Sequence, residues 1–273
     1  LLGIVSAKDL MTTDDNVLIE DIMETEIISV STLTDKEDVA HQLRKYDLLA
    51  LPVLDTDGLL VGIVTFDDAM DVMVEEATED ITKMAAVSPS EKTYFEVSAW
   101  EHAKRRIPWL LVLMFSSIIT GTIITRYENA FAAIPLLVSF IPMLMDTGGN
   151  CGSQSATLVI RGLALEEIRP RDALRVIRKE LAVAAIVSAV LAAANGLRIY
   201  LQYHDSAIAL VISLSLAATV VLAKLVGCML PIAAKQLHMD PAIMASPLIT
   251  TIVDAGAVLI YFQAAAALLR LPV

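Results

Sequence analysis

One carboxylate, Asp254, interrupts the apolar stretch from Pro247 to Phe262. Asp254 lies seven residues past Pro247, which places it roughly 10 Å along a helix with a rise of about 1.5 Å per residue. A charged side chain at that depth in a bilayer costs at least ~2.5–3.5 kcal/mol on insertion scales. We therefore predict that Asp254 faces a polar path and meets a cation there. The alternative is a structural carboxylate neutralised by a proton or by a neighbour such as Lys224.

A glycine-rich segment, residues 146–157, lies between two other apolar stretches and reads DTGGNCGSQSAT. Its three glycines permit irregular backbone, and irregular backbone at membrane depth is tolerated where it lines protein or a cavity. Carbonyl oxygens and the side chain of Asn150 could hold the water around an ion. We predict a loop beside the ion path. Asp240 adds an acidic group before the last apolar stretch, where its other possible role is to cap the helix that begins with Pro241.

A second group of carboxylates follows a predicted strand much earlier in the chain. The run consists of Asp67, Asp68, Asp71, Glu75, Glu76, Glu79 and Asp80. On a helix, five of them follow spacings of three and four residues and would share one side: Asp68, Asp71, Glu75, Glu76 and Glu79. Like charges at that spacing destabilise a helix by a few tenths of a kcal/mol each. Two interpretations stay open, a solvated helix face or a hard cation such as Mg²⁺ shared between carboxylates.

The composition divides the chain into two parts. Residues 1–100 contain 22 Asp and Glu against 6 Lys and Arg, whereas residues 101–273 contain 10 against 14. The acidity of the first part argues against nucleic-acid binding, which needs a basic patch. The two cysteines, Cys151 and Cys228, form neither a disulfide framework nor a CxxC site. No nucleophile, base and orienting group occur together, so we predict that the protein is not an enzyme.

An internal repeat organises the acidic part. Residues 1–11 align with residues 60–70, with six of eleven positions identical. Between the copies, Leu49–Leu54 and Leu60–Val64 read as strands joined by a turn. This arrangement resembles the CBS domain, a regulatory α/β module that often binds adenine nucleotides such as ATP. The resemblance implies that Thr65 and Asp68 contact a ribose. The alternative is that both residues only cap a helix.

The expected domain boundaries follow from this resemblance. Residues 1–22 match the end of a first CBS repeat that is truncated, and residues 23–87 match a second repeat. The chain has neither a starting Met nor a signal peptide, so we expect it to be a fragment. Ser88-Pro-Ser-Glu91 has the pattern of a helix start. We predict a connector helix over residues 88–106 at the membrane surface, with an ordinary linker helix as the alternative.

Residues 107–273 read as five membrane spans, so the predicted fold class is an α-helical membrane protein with an N-terminal cytoplasmic α/β unit. The spans are Ile107–Thr125, Ala130–Met145, Leu174–Leu201, Ala207–Ile232 and Pro247–Leu269. Positive residues concentrate before the first span and between the second and third. The positive-inside rule then places the acidic unit in the cytoplasm and the C-terminus outside the plasma membrane.

These pieces together resemble the MgtE family of magnesium channels. The motifs are Thr147–Thr157 followed by Arg161-Gly-Leu-Ala, then Leu225–Pro231, and Asp240–Leu248 leading to Asp254. The resemblance implies a homodimer in the lipid membrane, with a central pore lined by the second and fifth spans of both subunits. It also implies that the connector helix plugs the pore. Ser246 and Ser153 stand where the family has Asn.

The resemblance assigns residues to roles. Asp254 matches the pore carboxylate that holds hydrated Mg²⁺, and Asp240 and Asn150 match polar residues near the ion path. The implied pore-lining set is Gly148, Gly149, Asn150, Ser246, Pro247 and Asp254. The carboxylates implied to bind regulatory Mg²⁺ are Asp68, Asp71, Glu76, Glu79 and Asp80, with Glu37 and Asp47 as further members.

The predicted function is a magnesium channel or transporter gated by Mg²⁺ binding to its acidic unit. One alternative is a nucleotide-sensing membrane regulator that transports nothing, in which Thr65 and Asp68 form the working site. Another alternative is a transporter for a different cation, such as Mn²⁺, Co²⁺ or Na⁺.

Overall fold

The computed structural model describes residues 1–90, 92–128, 132, 134–244 and 246–270. The chain separates into two compact units, Leu1–Glu79 and Asp80–Val273.

The first unit is a small α/β domain. Its helices and strands are α1 (Ala7–Thr12), α2 (Ile19–Ile22), β1 (Val30–Ser31), α3 (Lys36–Lys45), β2 (Ala50–Leu54), β3 (Leu60–Thr65) and the start of α4 (Phe66–Met84). Strand β2 lies in the centre of the sheet, parallel to β1 and antiparallel to β3. Leu43 and Leu51 are fully buried against Ala69 of α4 and form the centre of this core.

The predicted strands of this unit are confirmed within one residue at each end. Both copies of the repeat place a hydroxyl beside an aspartate at a helix start. The Ser6 Oγ atom accepts a hydrogen bond from the Asp9 backbone N–H at 3.0 Å, and the Thr65 hydroxyl donates to the Asp68 Oδ2 atom at 2.8 Å. Local capping chemistry therefore explains why a helix follows each copy.

The second unit is helical. After the last turn of α4, its helices are α5 (Ala99–Arg126), α6 (Ile141–Ala164), α7 (Ala173–Tyr203), α8 (Ser206–Gln236) and α9 (Ser246–Leu269). Its core lies where α6, α8 and α9 pack on one another, with Leu144, Val220 and Val253 almost fully buried. Short 3₁₀ helices, Pro135–Phe140 and Pro241–Met244, precede α6 and α9.

Within the described residues, four helical segments are long and apolar enough to cross a membrane. They are Ala99–Arg126, Pro170–Tyr203, Ser206–Gln236 and Pro241–Leu269. Four of the five predicted spans therefore have a counterpart, and a count of five is not confirmed. The helix α6, with 24 residues, is long enough to span, but polar residues of the segment 146–157 interrupt its apolar character.

The predicted second span overlaps α6 only at its end. We placed it over Ala130–Met145, but Ala130 lies outside the described residues and the α-helix begins only at Ile141. The predicted glycine-rich loop is wrong, because residues 146–157 are helical throughout. The glycines instead allow close helix contact. A Cβ atom on Gly152 would lie 2.7 Å from the Ile249 Cγ2 atom and 3.2 Å from the Ala223 carbonyl oxygen.

The predicted helix over residues 88–106 is also wrong at its start. No helix begins at Ser88; α5 begins at Ala99 and continues through Arg126, so the connector and the first span form one helix. Ser98 with Glu101 three residues later is a second capping pattern, and it is the one used. The Ser98 Oγ atom accepts from the Glu101 backbone N–H at 3.2 Å. The predicted division into domains stays a prediction.

Candidate functional site

Asp254 is a half-buried carboxylate on α9. The nearby carboxylate is Asp146 on α6, close enough for electrostatic repulsion between the two groups. Asp254 is partly removed from water within the apolar bundle, so water screens its charge less than that of the exposed Asp146. Two such carboxylates are most stable when a cation lies near both of them. The sequence predicted Asp254, but we did not assign Asp146 a role.

Glycines on α6 bring these two helices together. A Cβ atom on Gly149 would lie 2.9 Å from the Thr250 Cγ2 atom, and one on Gly148 would lie 2.8 Å from the Val253 Cγ1 atom. Thr250 and Val253 lie on the turn before Asp254. Close approach of α6 and α9 therefore positions Asp254 beside the segment that carries Asp146.

The other predicted pore-lining residues occupy different environments. Asn150 is exposed on α6, whereas Gly148 and Gly149 are buried in the helix contact. Pro247 is half-buried, and its carbonyl oxygen accepts bonds from the Thr250 and Thr251 hydroxyls. The side chain of Ser246 lies outside the described part of the chain. Whether these residues line a pore stays a prediction.

Asp240 uses both carboxylate oxygens. The Oδ1 atom accepts from the Ala242 backbone N–H at 2.8 Å, so Asp240 does cap the short helix that begins with Pro241. The Oδ2 atom lies 2.6 Å from the Lys83 Nζ atom, in an ion pair whose side chains are 29% and 24% exposed. Lys83 belongs to the last turn of α4. A cation, here an ammonium, therefore already occupies the predicted ion-path residue.

The predicted regulatory carboxylates do not converge. Within the described residues, no group of three or more His, Cys, Asp or Glu side chains is close enough to hold a metal ion. Glu76 forms an ion pair with the Lys36 ammonium at 3.0 Å. Hydrogen bonding to Glu76, and next to Glu75, raises the pKa of Lys36. Glu37 lies 3.8 Å from His41. A cation shared between these carboxylates would need further ligands, beyond those that one copy of the chain supplies.

The remaining members of that set are exposed or half-buried. Asp47 and Asp71 are exposed, and Asp47 has a left-handed backbone with a φ of 52°. Glu79 and Asp80 are half-buried near the end of α4. Their metal-binding role stays a prediction.

The first unit contains a cavity of about 270 Å³ near the predicted ribose residues. Its walls come from β1, α3, β2, β3 and α4, and its polar side chains include Ser31, Thr34, Lys36 and Asp68. Apolar side chains such as Val39 and Val72 complete it. A flat apolar group with hydroxyls or phosphates at one end fits this distribution.

A buried polar network was not predicted from the sequence. Glu180 of α7 and Lys224 of α8 are 8% and 4% exposed, with the Glu180 Oε2 and Lys224 Nζ atoms 3.9 Å apart. The Ser155 hydroxyl of α6 donates to the same carboxylate at 2.5 Å. Lys224 therefore pairs with Glu180, which answers the alternative that it neutralises Asp254. The sequence signal that could have revealed this network was one charged residue, Glu180 or Lys224, in each of two apolar stretches.

Comparison with known proteins agrees with this architecture. Residues 141–264 match the family model MgtE, described as a divalent cation transporter, and residues 19–75 match the CBS domain. The magnesium transporter MgtE of Thermus thermophilus is 38% identical over 270 residues, which are 99% of this chain and 60% of that protein. The Bacillus subtilis MgtE is 37% identical, with 99% and 59% covered. The chain thus spans about 60% of the length of these curated relatives.

Two solved structures resemble a smaller part of the chain. One is the soluble part of a magnesium transporter, at 51% identity and a TM-score of 0.28, covering 28% of this chain and 30% of that one. The other is the cytosolic domain of the Mg²⁺ channel MgtE in complex with ATP, at 44% identity and a TM-score of 0.26, covering 26% and 29%. Residues 141–264 therefore carry the MgtE-family domain and residues 19–75 a CBS domain, and over 99% of its length the chain is similar to magnesium transporters of the MgtE family.

Proposed function

We propose that this chain transports Mg²⁺ across the plasma membrane along a path that passes Asp254. The observation that carries the proposal is the proximity of Asp254 and Asp146 on two closely packed helices. The names of the relatives, which are magnesium transporters, support the same conclusion.

The chemistry of Mg²⁺ suits carboxylates that act through water. Mg²⁺ prefers octahedral oxygen ligands at about 2.0–2.1 Å and gives up its water reluctantly. Asp254 can accept hydrogen bonds from the water of a hydrated ion, and Asp146 adds negative charge beside it. Asn150, exposed on the same helix as Asp146, can bind further water of the ion.

A homodimer would complete the path. One chain supplies a single Asp254, whereas a hydrated divalent ion has oxygen ligands on all sides. We propose that α6 and α9 of two copies face one another, so that two Asp254 carboxylates share the ion. The cytoplasmic location of the acidic unit and the outside location of the C-terminus belong to the same proposal.

We further propose that the path is gated at Asp240. The Lys83 ammonium, on the last turn of α4, neutralises Asp240 at 2.6 Å. Mg²⁺ binding to the acidic residues of α4 would reduce repulsion within that helix and its surroundings. The last turn of α4, rather than the predicted helix over residues 88–106, is then the gating segment.

Ion flux into liposomes tests the transport proposal. We expect purified wild-type protein to carry Mg²⁺, and Asp254→Ala to lose at least tenfold of that flux. Glu167→Gln is the matched control, because Glu167 is an exposed carboxylate paired only weakly with Arg161 at 3.6 Å. Undiminished Mg²⁺ flux in Asp254→Ala would refute the role of this residue. Flux of Mn²⁺, Co²⁺ or Na⁺ without Mg²⁺ would assign the path to another cation.

A second candidate function is nucleotide binding by the first unit. The cavity of about 270 Å³ with Thr34, Lys36 and Asp68 in its walls favours it. Titration of the whole protein with a fluorescent ATP analogue tests this, with Asp68→Ala expected to weaken binding about tenfold. Asp71→Ala serves as control, because Asp71 is exposed on the same helix. Binding without any ion flux would favour the regulator over the transporter.

A further inference from the structure

A groove with a volume of about 450 Å³ lies along the first turns of α5. Its polar side chains are Tyr94, His102 and Arg106, and its apolar side chains include Ala103, Ile107 and Leu110. We call it the α5 groove. Neither the ion path nor the cavity of the first unit includes any of these residues.

The segment before α5 is fixed against the helix and builds one side of the groove. The His102 Nε2 atom donates to the Tyr94 carbonyl oxygen at 3.3 Å, and the two rings lie 5.0 Å apart. The Arg105 side chain contacts the Pro89 carbonyl oxygen and donates to Glu101 at 2.9 Å. Lys92 also approaches Glu101, at 3.7 Å.

These contacts leave a positive charge at the groove. Glu101 is shared by Arg105 and Lys92, and the hydrogen bond from Arg105 is the main reason that the pKa of Glu101 is lowered. Within the described residues, Arg106 has no ion pair. Lys104, two residues before Arg106, has its ammonium 5.6 Å from the centre of the Trp100 ring.

The groove changes from basic to apolar along the helix. His102 and Arg106 are separated by one turn, and Ala103, Ile107 and Leu110 follow at helical spacing on the same side. The apolar end continues into a helix long enough to cross a membrane. Exposed aromatic rings flank the basic end, with Tyr94 and Trp100 each 68% exposed. Such rings are enriched where the bilayer meets water.

We propose that the α5 groove binds one anionic phospholipid. The lipid phosphate lies against Arg106 and His102, and an acyl chain follows Ile107 and Leu110. Arginine matches phosphate geometry with two parallel N–H groups. Basic pockets at the ends of spanning helices, on the side of positive charge, suit anionic headgroups. The apolar floor next to that charge is what selects a lipid over a soluble phosphate compound.

The two tryptophans of the chain allow a direct test, because Trp100 and Trp109 both lie in the first three turns of α5. The whole protein is reconstituted into mixed vesicles of phosphatidylcholine and phosphatidylglycerol, with bromine on one lipid or the other to quench fluorescence. One basic residue near a membrane contributes about 1 kcal/mol towards anionic lipid, which corresponds to roughly a fivefold preference. We therefore expect brominated phosphatidylglycerol to quench about fivefold more effectively than brominated phosphatidylcholine.

Arg106→Gln should reduce this preference to about one, and His102→Gln should reduce it in part. Arg126→Gln is the matched control, because it removes one exposed arginine from the opposite end of α5. It should keep the full preference. Equal quenching by the two lipids in the wild type would overturn the proposal. Weak quenching by both lipids would also overturn the proposal, because it would mean that a second copy covers the groove. An equal loss of preference in Arg106→Gln and Arg126→Gln would overturn it too.

Discussion

The Lys83 ammonium lies 2.6 Å from the Asp240 carboxylate, and this ion pair joins the end of α4 to the residue that caps the short 3₁₀ helix before α9. The pair is partly exposed, so its contribution is about 0.5–1 kcal/mol. On the cation path proposed above, Lys83 would occupy a carboxylate that a permeating cation otherwise meets.

Replacing Lys83 therefore should favour the open path. We expect Lys83→Met to increase Mg²⁺ flux into liposomes about two- to fivefold when the internal Mg²⁺ concentration is low, which is what 0.5–1 kcal/mol produces in an equilibrium. Lys235→Met removes an exposed positive charge from the end of α8 and should leave the flux unchanged. Lower flux in Lys83→Met would show that Lys83 supports transport instead of opposing it.

Asp146 should support the role of Asp254. We expect Asp146→Asn to lower Mg²⁺ flux about threefold and Asp254→Asn at least tenfold, because only Asp254 is half-buried on α9 while Asp146 is exposed. In the double variant the two effects should not add, since both carboxylates act on one ion. Fluxes measured for all four proteins in the same liposomes give this coupling, and strict additivity would mean that the residues act independently.

The glycine contacts between helices should be intolerant of side chains. A Cβ atom on Gly227 of α8 would overlap the carbonyl oxygen of Gly152 on α6. We expect Gly227→Ala to destabilise the protein by about 1–3 kcal/mol through overpacking. Gly121→Ala is the control, because nothing lies within 4 Å of that position, and it should be neutral or slightly stabilising. Thermal unfolding in detergent compares the two, and equal midpoints would contradict the close approach of α6 and α8.

The buried pair of Glu180 and Lys224 should show the cost of an uncompensated charge. We expect Glu180→Leu alone to destabilise the protein by about 3–5 kcal/mol, because Lys224 then stays buried without its partner. The double variant Glu180→Leu with Lys224→Met should recover most of that loss. Glu167→Gln, which breaks an exposed pair with Arg161, should change stability by no more than about 0.5 kcal/mol.

Thermal unfolding of these variants in one detergent gives the comparison. A double variant that is no more stable than Glu180→Leu would mean that packing around Glu180, and not its charge, holds α7 in place.

Much of the fold could be predicted from local pattern. The strands β2 and β3 and the helices α7, α8 and α9 lie close to their predicted positions. These elements are continuous apolar runs that end at residues with clear capping or turn chemistry, such as Asp205, whose carboxylate accepts from the Ala207 and Ile208 backbone N–H groups. Both the periodicity of these elements and the positions at which they end depend on residues that are close together in the sequence.

The failures occur where local preference and tertiary packing disagree. Three glycines in residues 146–157 favour irregular backbone when read locally. In the structure, contacts with Ile249, Thr250 and Val253 make the same glycines the contact points of a helix. The choice between the capping patterns at Ser88 and Ser98 likewise depended on contacts further along the chain, such as that between Arg105 and the Pro89 carbonyl oxygen.

By itself, the sequence determined that the chain has an acidic α/β unit, an apolar helical unit and a carboxylate, Asp254, within an apolar helix, because composition and hydropathy are local properties. Only the tertiary structure decided the partners of the charged groups. It placed Asp146 near Asp254, Glu180 against Lys224, and Lys83 on Asp240. Each of these pairs joins residues far apart in the chain, so no spacing in the sequence could reveal which charges would meet.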